Sequence, residues 1–407
     1  MNCRNCESKL DLELVDLGFS PPSNAYLSHA DLSKAEVWFP LKVLVCQKCW
    51  LVQTLDFHAE SDVFTESYAY FSSTSTSWVE HSRIFAEKSI KELGLGPNSF
   101  VIEVASNDGY LLQHFKRDGI PHLGIEPTKS TAQAAISKGI ETITEFLNPQ
   151  LAQKVIGIYK KADLVIGNNV FAHVPDIRGF SDSLALLMSE EGTLVLEFPH
   201  LLKLLEENSF DTIYHEHFSY LSLHSCSDIL SRSGLIVWKV EELATHGGSL
   251  RIYASHNAST VKVDVSVEEL LKTEKAFGIT STAAYLGLTD AAGKTRDQVL
   301  DFLVSCRAEG KKVAAYGAAA KGNTLLNFAG VKSNLIQMVC DSAPSKQGNY
   351  LPGSHIPIVD LQTLREFSPD VVVILPWNLS KEILALLRVT LGDDPKIVKF
   401  SPVLQEL

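Results

Sequence analysis

The stretch SFVIEVASNDGYLL, residues 99–112, joins a short apolar strand to a turn of small and polar residues and then to an amphipathic segment. Glycine in such a turn, here Gly109, lets the backbone approach a ligand closely, and the acidic Glu103 beside it can hold a cationic amine. The next apolar run ends at Glu126, where a carboxylate suits the two hydroxyls of a ribose. The stretch therefore predicts the ligand-binding turn of an α/β fold, and the alternative is an ordinary strand, turn and helix with surface acids.

The alternation of short apolar runs with amphipathic stretches extends over residues 99–256. Strands that alternate with helices are joined by parallel crossovers and form a doubly wound sheet. Ligands of such sheets lie at the carboxyl ends of the strands, where the strand order reverses. The predicted strands are SFVIEV (99–104), HLGIEP (122–127), IETIT (140–144), ADLVIGN (162–168), GTLVLEF (192–198), LIVWKVEEL (235–243) and GSLRIYAS (248–255).

Two ligands suit this turn, a nicotinamide dinucleotide and S-adenosyl-L-methionine. Ala105 and Asn107 replace two glycines of the dinucleotide fingerprint, so the backbone is poorly suited to a pyrophosphate and the phosphate-free adenosyl donor fits better. The fourth strand ends at Asn168 and Asn169, and His173 follows in a loop that is exposed to any ligand bound at this edge. The alternative for His173 is a capping role at the surface.

Two Cys-x-x-Cys pairs lie close to the start of the chain, Cys3 with Cys6 and Cys46 with Cys49, and 39 residues separate them. Four thiolates form the closed tetrahedral set that a structural Zn²⁺ prefers, which leaves no position for a water molecule. One such pair alone is also typical of a redox dithiol, but the doubled pattern favours zinc. We therefore expect a structural zinc ion that takes no part in catalysis.

The chain has 407 residues, of which 45% are hydrophobic and 21% charged, and its formal net charge is -12. These values predict a globular protein of two or three domains. The negative charge argues against nonspecific nucleic-acid binding, which needs a basic surface. The first residues, MNCRNCESKL, lack the apolar run of a secretory signal, and no run elsewhere approaches the roughly 18 to 20 residues that span a bilayer. We expect a cytoplasmic protein without a membrane partner.

The segment YHEHFSYLS, residues 214–222, places Tyr214, His215, Glu216 and His217 side by side. In an extended strand the two histidines would point the same way, as two ligands of one metal ion do, but no further ligands are indicated nearby. A second interpretation is that these side chains simply pack in the core. The third is proton transfer, because histidine titrates near neutrality and a neighbouring carboxylate can orient its ring and stabilise its charged form.

A second α/β unit follows a helical connector over residues 257–308. Its first strand, KVAAYG, leads into small residues at 317–322, where a helix N-terminus and Lys321 would suit a phosphate. Asp341, at the end of the next strand, again suits a ribose. The unit therefore either holds a nucleotide diphosphate or serves as a scaffold. Its candidate substrate-binding residues are Gly317, Lys321, Asn323 and Asp341.

Taken in order, the two cysteine pairs, EVASNDGYLL, NNVFAHVPD, YHEHFSYLS, THGGSLR and YGAAAKGNT resemble the sugar C-methyltransferases that add a branch methyl to nucleotide-linked keto-deoxysugars. The resemblance covers nearly the whole chain. It implies a class I methyltransferase-like fold, S-adenosyl-L-methionine as the donor, and methylation at C-3 of a thymidine-diphosphate-linked 4-keto sugar. It also implies that His217 removes the proton beside the ketone and that Glu216 and Tyr214 lie in the same active site. Tyr68 and His173 are then expected to reach the sugar.

Further residues complete the predicted site. Arg251, in HGGSLR, suits an anionic group of the substrate, and its alternative is a surface position at a strand edge. The predicted contacts to the donor are Glu103, Ala105, Asn107, Gly109, Tyr110, Glu126, Asn168 and Asn169.

We expect three units: a zinc-binding domain at 1–66, a methyltransferase domain at 67–260, and a connector with a Rossmann-like sugar-nucleotide-binding domain at 261–407. The chain is expected to act as a monomer. Two alternatives remain, a nucleotide-sugar oxidoreductase and a non-catalytic scaffold that carries zinc.

Overall fold

The computed structural model describes residues 1–55 and 71–407, and within them the strands form three sheets. The strands are β1 (Leu12–Ser20), β2 (Phe39–Val45), β3 (Val52–Thr54), β4 (Val101–Val104), β5 (His122–Ile125), β6 (Thr142–Ile143), β7 (Ala162–Asn168), β8 (Met188–Pro199), β9 (Ser219–Tyr220), β10 (Leu235–Leu243), β11 (Ser249–His256), β12 (Val313–Tyr316), β13 (Met338–Cys340), β14 (Ile358–Val359), β15 (Val371–Ile374), β16 (Lys396–Lys399) and β17 (Gln405–Glu406).

The helices alternate with the strands through most of the chain. They are α1 (Thr76–Leu93), α2 (Leu112–Arg117), α3 (Lys129–Ser137), α4 (Pro149–Ile158), α5 (Ile177–Leu187), α6 (Leu201–Glu207), α7 (Leu223–Arg232), α8 (Val265–Phe277), α9 (Leu288–Ala308), α10 (Ala320–Phe328), α11 (Leu361–Phe367) and α12 (Ser380–Leu391). When the described residues are searched for a membrane-crossing helix, none has both the length and the apolar character required.

The central sheet has the strand order β10-β11-β8-β7-β4-β5-β6. Its strands β4 to β8 are mutually parallel, which confirms the predicted doubly wound sheet. The last two strands differ from the expected crossover pattern, because β11 runs antiparallel to both β10 and β8. The connection from Leu243 to Ser249 is too short for a parallel crossover, which needs about a dozen residues.

The inner strands of the central sheet are buried along nearly their whole length, with Asp163 of β7 partly exposed. This is the pattern of a sheet that helices cover on both faces. Strand β4 reads Val-Ile-Glu-Val and every residue in it is buried, including Glu103, of which 1% is exposed. A carboxyl group in such a place is costly unless a partner or a ligand contacts it.

The C-terminal sheet has the order β14-β13-β12-β15-β16-β17 and is parallel except for β17. Strand β12 lies within the predicted run KVAAYG, and β13 ends directly before Asp341, as predicted. The apolar core of this unit is continuous with that of the N-terminal sheet, since Leu14 and Val43 belong to the same buried cluster as Val313 and Val371.

The N-terminal sheet has the order β1-β2-β3-β9. Strand β9 comes from a distant part of the chain and pairs antiparallel with β3, with Val52 opposite Tyr220 and Gln53 opposite Ser219. The two residues of β9 lie inside YHEHFSYLS. The sheet therefore fixes one end of that segment.

Candidate active site

The four predicted metal ligands come together in the structure. Their sulfur atoms all lie within 4.8 Å of one another, and the closest pairs are 3.5 Å (Cys3 to Cys49) and 3.4 Å (Cys6 to Cys46) apart. Zinc–sulfur bonds of about 2.3 Å place the sulfurs of a tetrahedral site roughly 3.8 Å apart, so the cluster fits Zn²⁺. Glu7 and Trp50, which directly follow the two pairs, both adopt positive φ values, 61° and 59°. The two pairs thus end in the same kind of turn.

The neighbouring histidines of YHEHFSYLS do not form a second metal site. His215 Nε2 lies 3.3 Å from the carbonyl of Pro40, whereas His217 Nδ1 lies 3.0 Å from the carbonyl of Thr212. The two rings contact different parts of the protein because the segment is a turn and not an extended strand. Across residues 1–55 and 71–407, the cysteines are the one cluster with metal-ligand geometry.

The turn after β4 has three residues with positive φ values, and only one of them is a glycine. Ala105, Asn107 and Gly109 have φ values of 57°, 49° and 77°. A side chain in this left-handed region costs about 1 to 2 kcal/mol, and such strain is concentrated at functional sites. Glycine suits position 109 because its φ is positive and because a Cβ atom there would lie 2.3 Å from Cδ1 of Ile140, whose side chain would have to move.

Glu126 is held rigidly beside this turn. Its two carboxylate oxygens accept hydrogen bonds from the backbone amides of Asn107 and Thr128, each at 2.9 Å. Burial raises the pKa of Glu126 above its usual value, and these amides act in the opposite direction. The carboxylate therefore has a fixed position at the carboxyl end of β5.

Several acceptors at this edge lack a hydrogen-bond partner within the described residues. They are Glu103 Oε2, Asn168 Oδ1 and Asn169 Oδ1. Burial, with nearby Glu126 and Asp108, raises the pKa of Glu103 well above its usual value. Acceptors of this kind suit a ligand that brings an ammonium group and hydroxyls, so the edge fits S-adenosyl-L-methionine. The predicted contact Tyr110 is also buried beside this edge.

The predicted substrate contact Arg251 lies elsewhere in a buried ion-pair network. Its Nη2 donates to Glu197 Oε2 at 2.6 Å, and its guanidinium carbon lies 4.4 Å from the ring centre of Phe85. His81 Nε2 also contacts both oxygens of Glu197, at 3.0 Å. Burial alone would raise the pKa of Glu197, but His81 and Arg251 hold it below its usual value. Since this pairing already uses the Arg251 charge, we leave Arg251 out of the proposed substrate contacts.

His217 lies at the centre of a ring cluster. Its ring centre is 4.0 Å from that of Tyr214 and 4.7 Å from that of His173. The Nδ1 atoms of the two histidines face carbonyl oxygens, that of Thr212 for His217 and that of Glu216, at 2.8 Å, for His173. A carbonyl only accepts, so each Nδ1 carries the hydrogen and each Nε2 keeps its lone pair.

Both imidazoles are neutral near pH 7. Burial lowers the pKa of His217 well below its usual value, and His173 lowers it further. Burial lowers the pKa of His173 to about 4. The predicted neighbour Glu216 directs a carboxylate oxygen to Asn24 Nδ2 at 2.6 Å, and its backbone carbonyl accepts from His173. Glu216 thus orients His173 through its main chain.

A cavity next to His217 is lined by side chains that the sequence did not single out, including His246 and Trp377. His246 has a φ of 57°, and a Cβ atom on the following Gly247 would lie 2.4 Å from the Trp377 ring. Lys321 Nζ donates to the His246 carbonyl at 3.1 Å and lies 4.6 Å from the Trp377 ring centre. Removal from water lowers the Lys321 pKa to about 8, and its charge also acts on His217. Among the predicted C-terminal residues, Lys321 is therefore the one that brings a positive charge close to His217.

The other predicted C-terminal residues hold the protein together. Asp341 accepts from the amides of Ala318 and Ala343, at 2.8 and 2.9 Å. Asn323 Nδ2 donates to the Ser23 carbonyl at 3.1 Å. A Cβ atom on Gly317 would lie 2.4 Å from Cδ of Pro376. We therefore do not carry Asp341, Asn323 or Gly317 into the proposed substrate contacts. Tyr68 lies outside the described residues.

Comparisons with known proteins consistently match methyltransferases. Family profiles match a zinc binding domain at residues 3–64, a methyltransferase domain at 78–240 and a C-methyltransferase C-terminal domain at 244–402. The C-methyltransferase NovU of Streptomyces niveus is 35% identical over 382 residues, which cover 94% of this chain and 91% of that protein.

Solved structures resemble this chain more distantly. Magnesium protoporphyrin IX methyltransferase of Synechocystis PCC 6803 with bound SAH is 17% identical, with a TM-score of 0.36 over 44% of this chain and 83% of that chain. The same enzyme with bound SAM is 15% identical, with a TM-score of 0.37 over 50% and 100% of the two chains. The identification therefore rests on the family profiles and on NovU.

Proposed function

Because the chain belongs to the family of C-methyltransferases, we propose that it methylates the carbon beside the ketone of a nucleotide-linked 4-keto-deoxysugar. The family confirms the predicted enzyme class, the methyltransferase fold with S-adenosyl-L-methionine as its donor, and the zinc-binding domain. The sugar, its thymidine diphosphate and the C-3 position are supported by the motif resemblance. The acting unit is proposed to be the monomer.

His217 is the proposed base, and its geometry is the observation that carries the proposal. A carbon beside a ketone becomes a nucleophile only after it loses a proton, so the reaction needs a neutral base in a dry site. Burial keeps His217 neutral, and the Thr212 carbonyl fixes the hydrogen on Nδ1. The Nε2 lone pair is then available to take the proton. The carbanion would attack the donor methyl in line, which breaks the methyl–sulfur bond and releases S-adenosyl-L-homocysteine.

The two neighbours of His217 have different chemical capacities. His173 donates through Nδ1 to Glu216, so its Nε2 can only accept and suits a hydroxyl of the sugar. The phenol of Tyr214 can donate, and we assign it to the developing enolate oxygen. Lys321, whose pKa of about 8 keeps it largely cationic at neutral pH, supplies positive charge for the anionic substrate.

The direct test is methyl transfer. The pure protein is incubated with S-adenosyl-L-methionine and a panel of nucleotide-linked 4-keto-6-deoxysugars, and mass spectrometry is used to find a sugar that has gained a methyl group. We expect one acceptor to be methylated at the carbon beside the ketone. If no acceptor gains a methyl, the sugar assignment is wrong, and nicotinamide absorbance changes with the same panel would favour the oxidoreductase.

A pair of variants tests the base. His217→Asn is expected to slow exchange of solvent deuterium into the carbon beside the ketone by about 10² to 10⁴-fold. His215→Asn tests the other histidine. Its ring contacts Pro40 in the N-terminal sheet, so this variant should slow exchange only through the position of the segment, and by less than His217→Asn. If exchange is lost in His215→Asn and kept in His217→Asn, the base is His215.

A further inference from the structure

The N-terminal sheet and the connection between its strands β1 and β2 contact several residues of YHEHFSYLS. His215 meets Pro40, at 3.3 Å, and the ring of Phe39, at 6.0 Å between centres. Asn24 donates to the carboxylate of Glu216 at 2.6 Å. These contacts hold the segment on the side that precedes His217.

The contacts continue on the other side of the base. Thr54 Oγ1 lies 3.3 Å from the His217 carbonyl, and the Thr54 amide donates to the carbonyl of Phe218 at 3.1 Å. Strand β9 then pairs with β3 through Gln53 and Val52. The main chain of His217 is thus bonded directly to the sheet that carries the zinc cysteines.

Arg4 connects the metal turn itself to this segment. It stands between the ligands Cys3 and Cys6, and its Nη1 donates to the carbonyl of Phe218. The Arg4 guanidinium also lies 5.3 Å from the centre of the Phe218 ring. Its backbone amide donates to Gln53 Oε1 at 3.0 Å, so Arg4 is fixed to β3 as well. One residue therefore joins the zinc ligands, the sheet and the neighbour of the base.

We infer that the zinc turn positions the catalytic base, with Arg4 as the positioning residue that sets the place of His217. The inference rests on the proposed function, in which His217 takes the proton. Proton transfer requires hydrogen-bond distance between base and carbon acid, so a shift of about 1 Å at the base costs about 100-fold in rate. The donor edge at β4 and β5 lies on other elements, so Arg4 has no direct part in binding the donor.

The experiment compares Arg4→Met and Arg4→Lys with the control Lys9→Met. Lys9 follows the zinc ligand Cys6 by three residues, and its side chain is 77% exposed. We expect Arg4→Met to lower kcat about 100-fold while the Kd for S-adenosyl-L-methionine and the zinc content stay at the level of Lys9→Met. Lysine can still donate to a carbonyl without the planar fork, so Arg4→Lys should recover part of the rate.

A second readout needs no substrate. Diethyl pyrocarbonate acylates accessible neutral imidazoles, and peptide mass spectrometry locates the modified histidine. In the native protein His217 is 6% exposed and should be protected, while the His355 side chain is 45% exposed and should react. In Arg4→Met we expect His217 to become reactive. Removal of zinc by a chelator should have the same effect while S-adenosyl-L-methionine still binds.

Thr54→Val provides an independent variant if Arg4→Met fails to fold. Valine keeps the size of the side chain and removes the bond from Oγ1 to the His217 carbonyl, so kcat should fall about tenfold with donor affinity unchanged. Full kcat together with a protected His217 in both variants would overturn the inference. If the native protein methylates no acceptor, the proposed function fails, and the reactivity of His217 still decides whether Arg4 positions it.

Discussion

The carboxyl edges of the parallel strands have the same local design in the central and the C-terminal sheet, but the residues that contact them differ. Each has a strand, a turn with a positive-φ glycine (Gly109 or Gly317), a helix, and an acid at the end of the next strand. At the central edge, Glu103 has a buried oxygen without a partner among the described residues. The acids at the ends of the next strands do not differ in this respect, because Glu126 and Asp341 each accept from two backbone amides. The C-terminal edge differs in what covers its turn.

The difference comes from a segment that is distant in sequence. Tyr26 donates from its hydroxyl to the Ala318 carbonyl at 2.6 Å, and Ser23 accepts from Asn323. The N-terminal segment thus covers the turn of the C-terminal sheet, where a nucleotide would otherwise be expected to bind. A strand, turn and acid are therefore sufficient to build the edge but do not determine whether a ligand or another part of the chain occupies it.

The largest expected effect is at Glu126. Glu126→Gln removes the charge that is proposed to accept from the ribose hydroxyls, and hydrogen bonds to charged groups contribute about 1.5 to 3 kcal/mol. The Kd for S-adenosyl-L-methionine, measured by calorimetry, should therefore rise about 10 to 100-fold. An unchanged Kd would mean that Glu126, like Asp341, does not contact a ligand.

The matched change at the other edge is Asp341→Asn. Because Asp341 bonds two backbone amides and Asn offers only one acceptor, we expect the free energy of unfolding to fall by about 1 to 3 kcal/mol. Donor affinity should stay unchanged, and so should the affinity for thymidine diphosphate. Denaturant titration measures the first quantity and calorimetry the other two. A large loss of nucleotide affinity without a loss of stability would restore Asp341 as a substrate contact.

Local patterns were enough to predict most of the fold. The runs ADLVIGN and LIVWKVEEL became strands with the predicted bounds. The first is a nearly continuous apolar run, which is typical of a covered strand, and the second is a partly exposed edge strand. The cysteine cluster was likewise predicted from spacing alone. Strand β9 was not predicted, because its two residues show no periodicity and its pairing partner, β3, lies more than 160 residues earlier in the chain.

The site was less predictable for the same reason. His246 and Trp377 line one cavity with His217, yet they lie on separate segments and neither has a motif that links it to the others. The motif HGGSLR predicts an anion contact for Arg251, but the structure pairs Arg251 with Glu197 on another strand. Contacts of this kind depend on the tertiary fold, and local patterns in a single sequence do not predict them.

The pH dependence of donor binding should also separate the two edges. Burial raises the pKa of Glu126, so its protonation begins at a higher pH than that of an ordinary glutamate, for which the pKa is about 4.3. As the pH falls through this raised pKa, the carboxylate is lost and the Kd for S-adenosyl-L-methionine should increase severalfold. Asp341→Asn should keep this dependence, and Glu126→Gln should weaken it and leave the part that Glu103 contributes. The same profile in all three proteins would assign the titration to another group.

The smallest expected effect is at Tyr26, whose hydroxyl closes the C-terminal edge. Burial raises the pKa of Tyr26, with Asp341 and Glu216 adding to the effect, so the phenol stays protonated and donates to the Ala318 carbonyl. Tyr26→Phe removes this one hydrogen bond and keeps the ring, which should lower the free energy of unfolding by about 0.5 to 1.5 kcal/mol in denaturant titration. The Kd for thymidine diphosphate should not change. If the variant instead binds the nucleotide more tightly, the edge is a usable nucleotide site that Tyr26 blocks; if it binds more weakly, Tyr26 itself contacts the nucleotide.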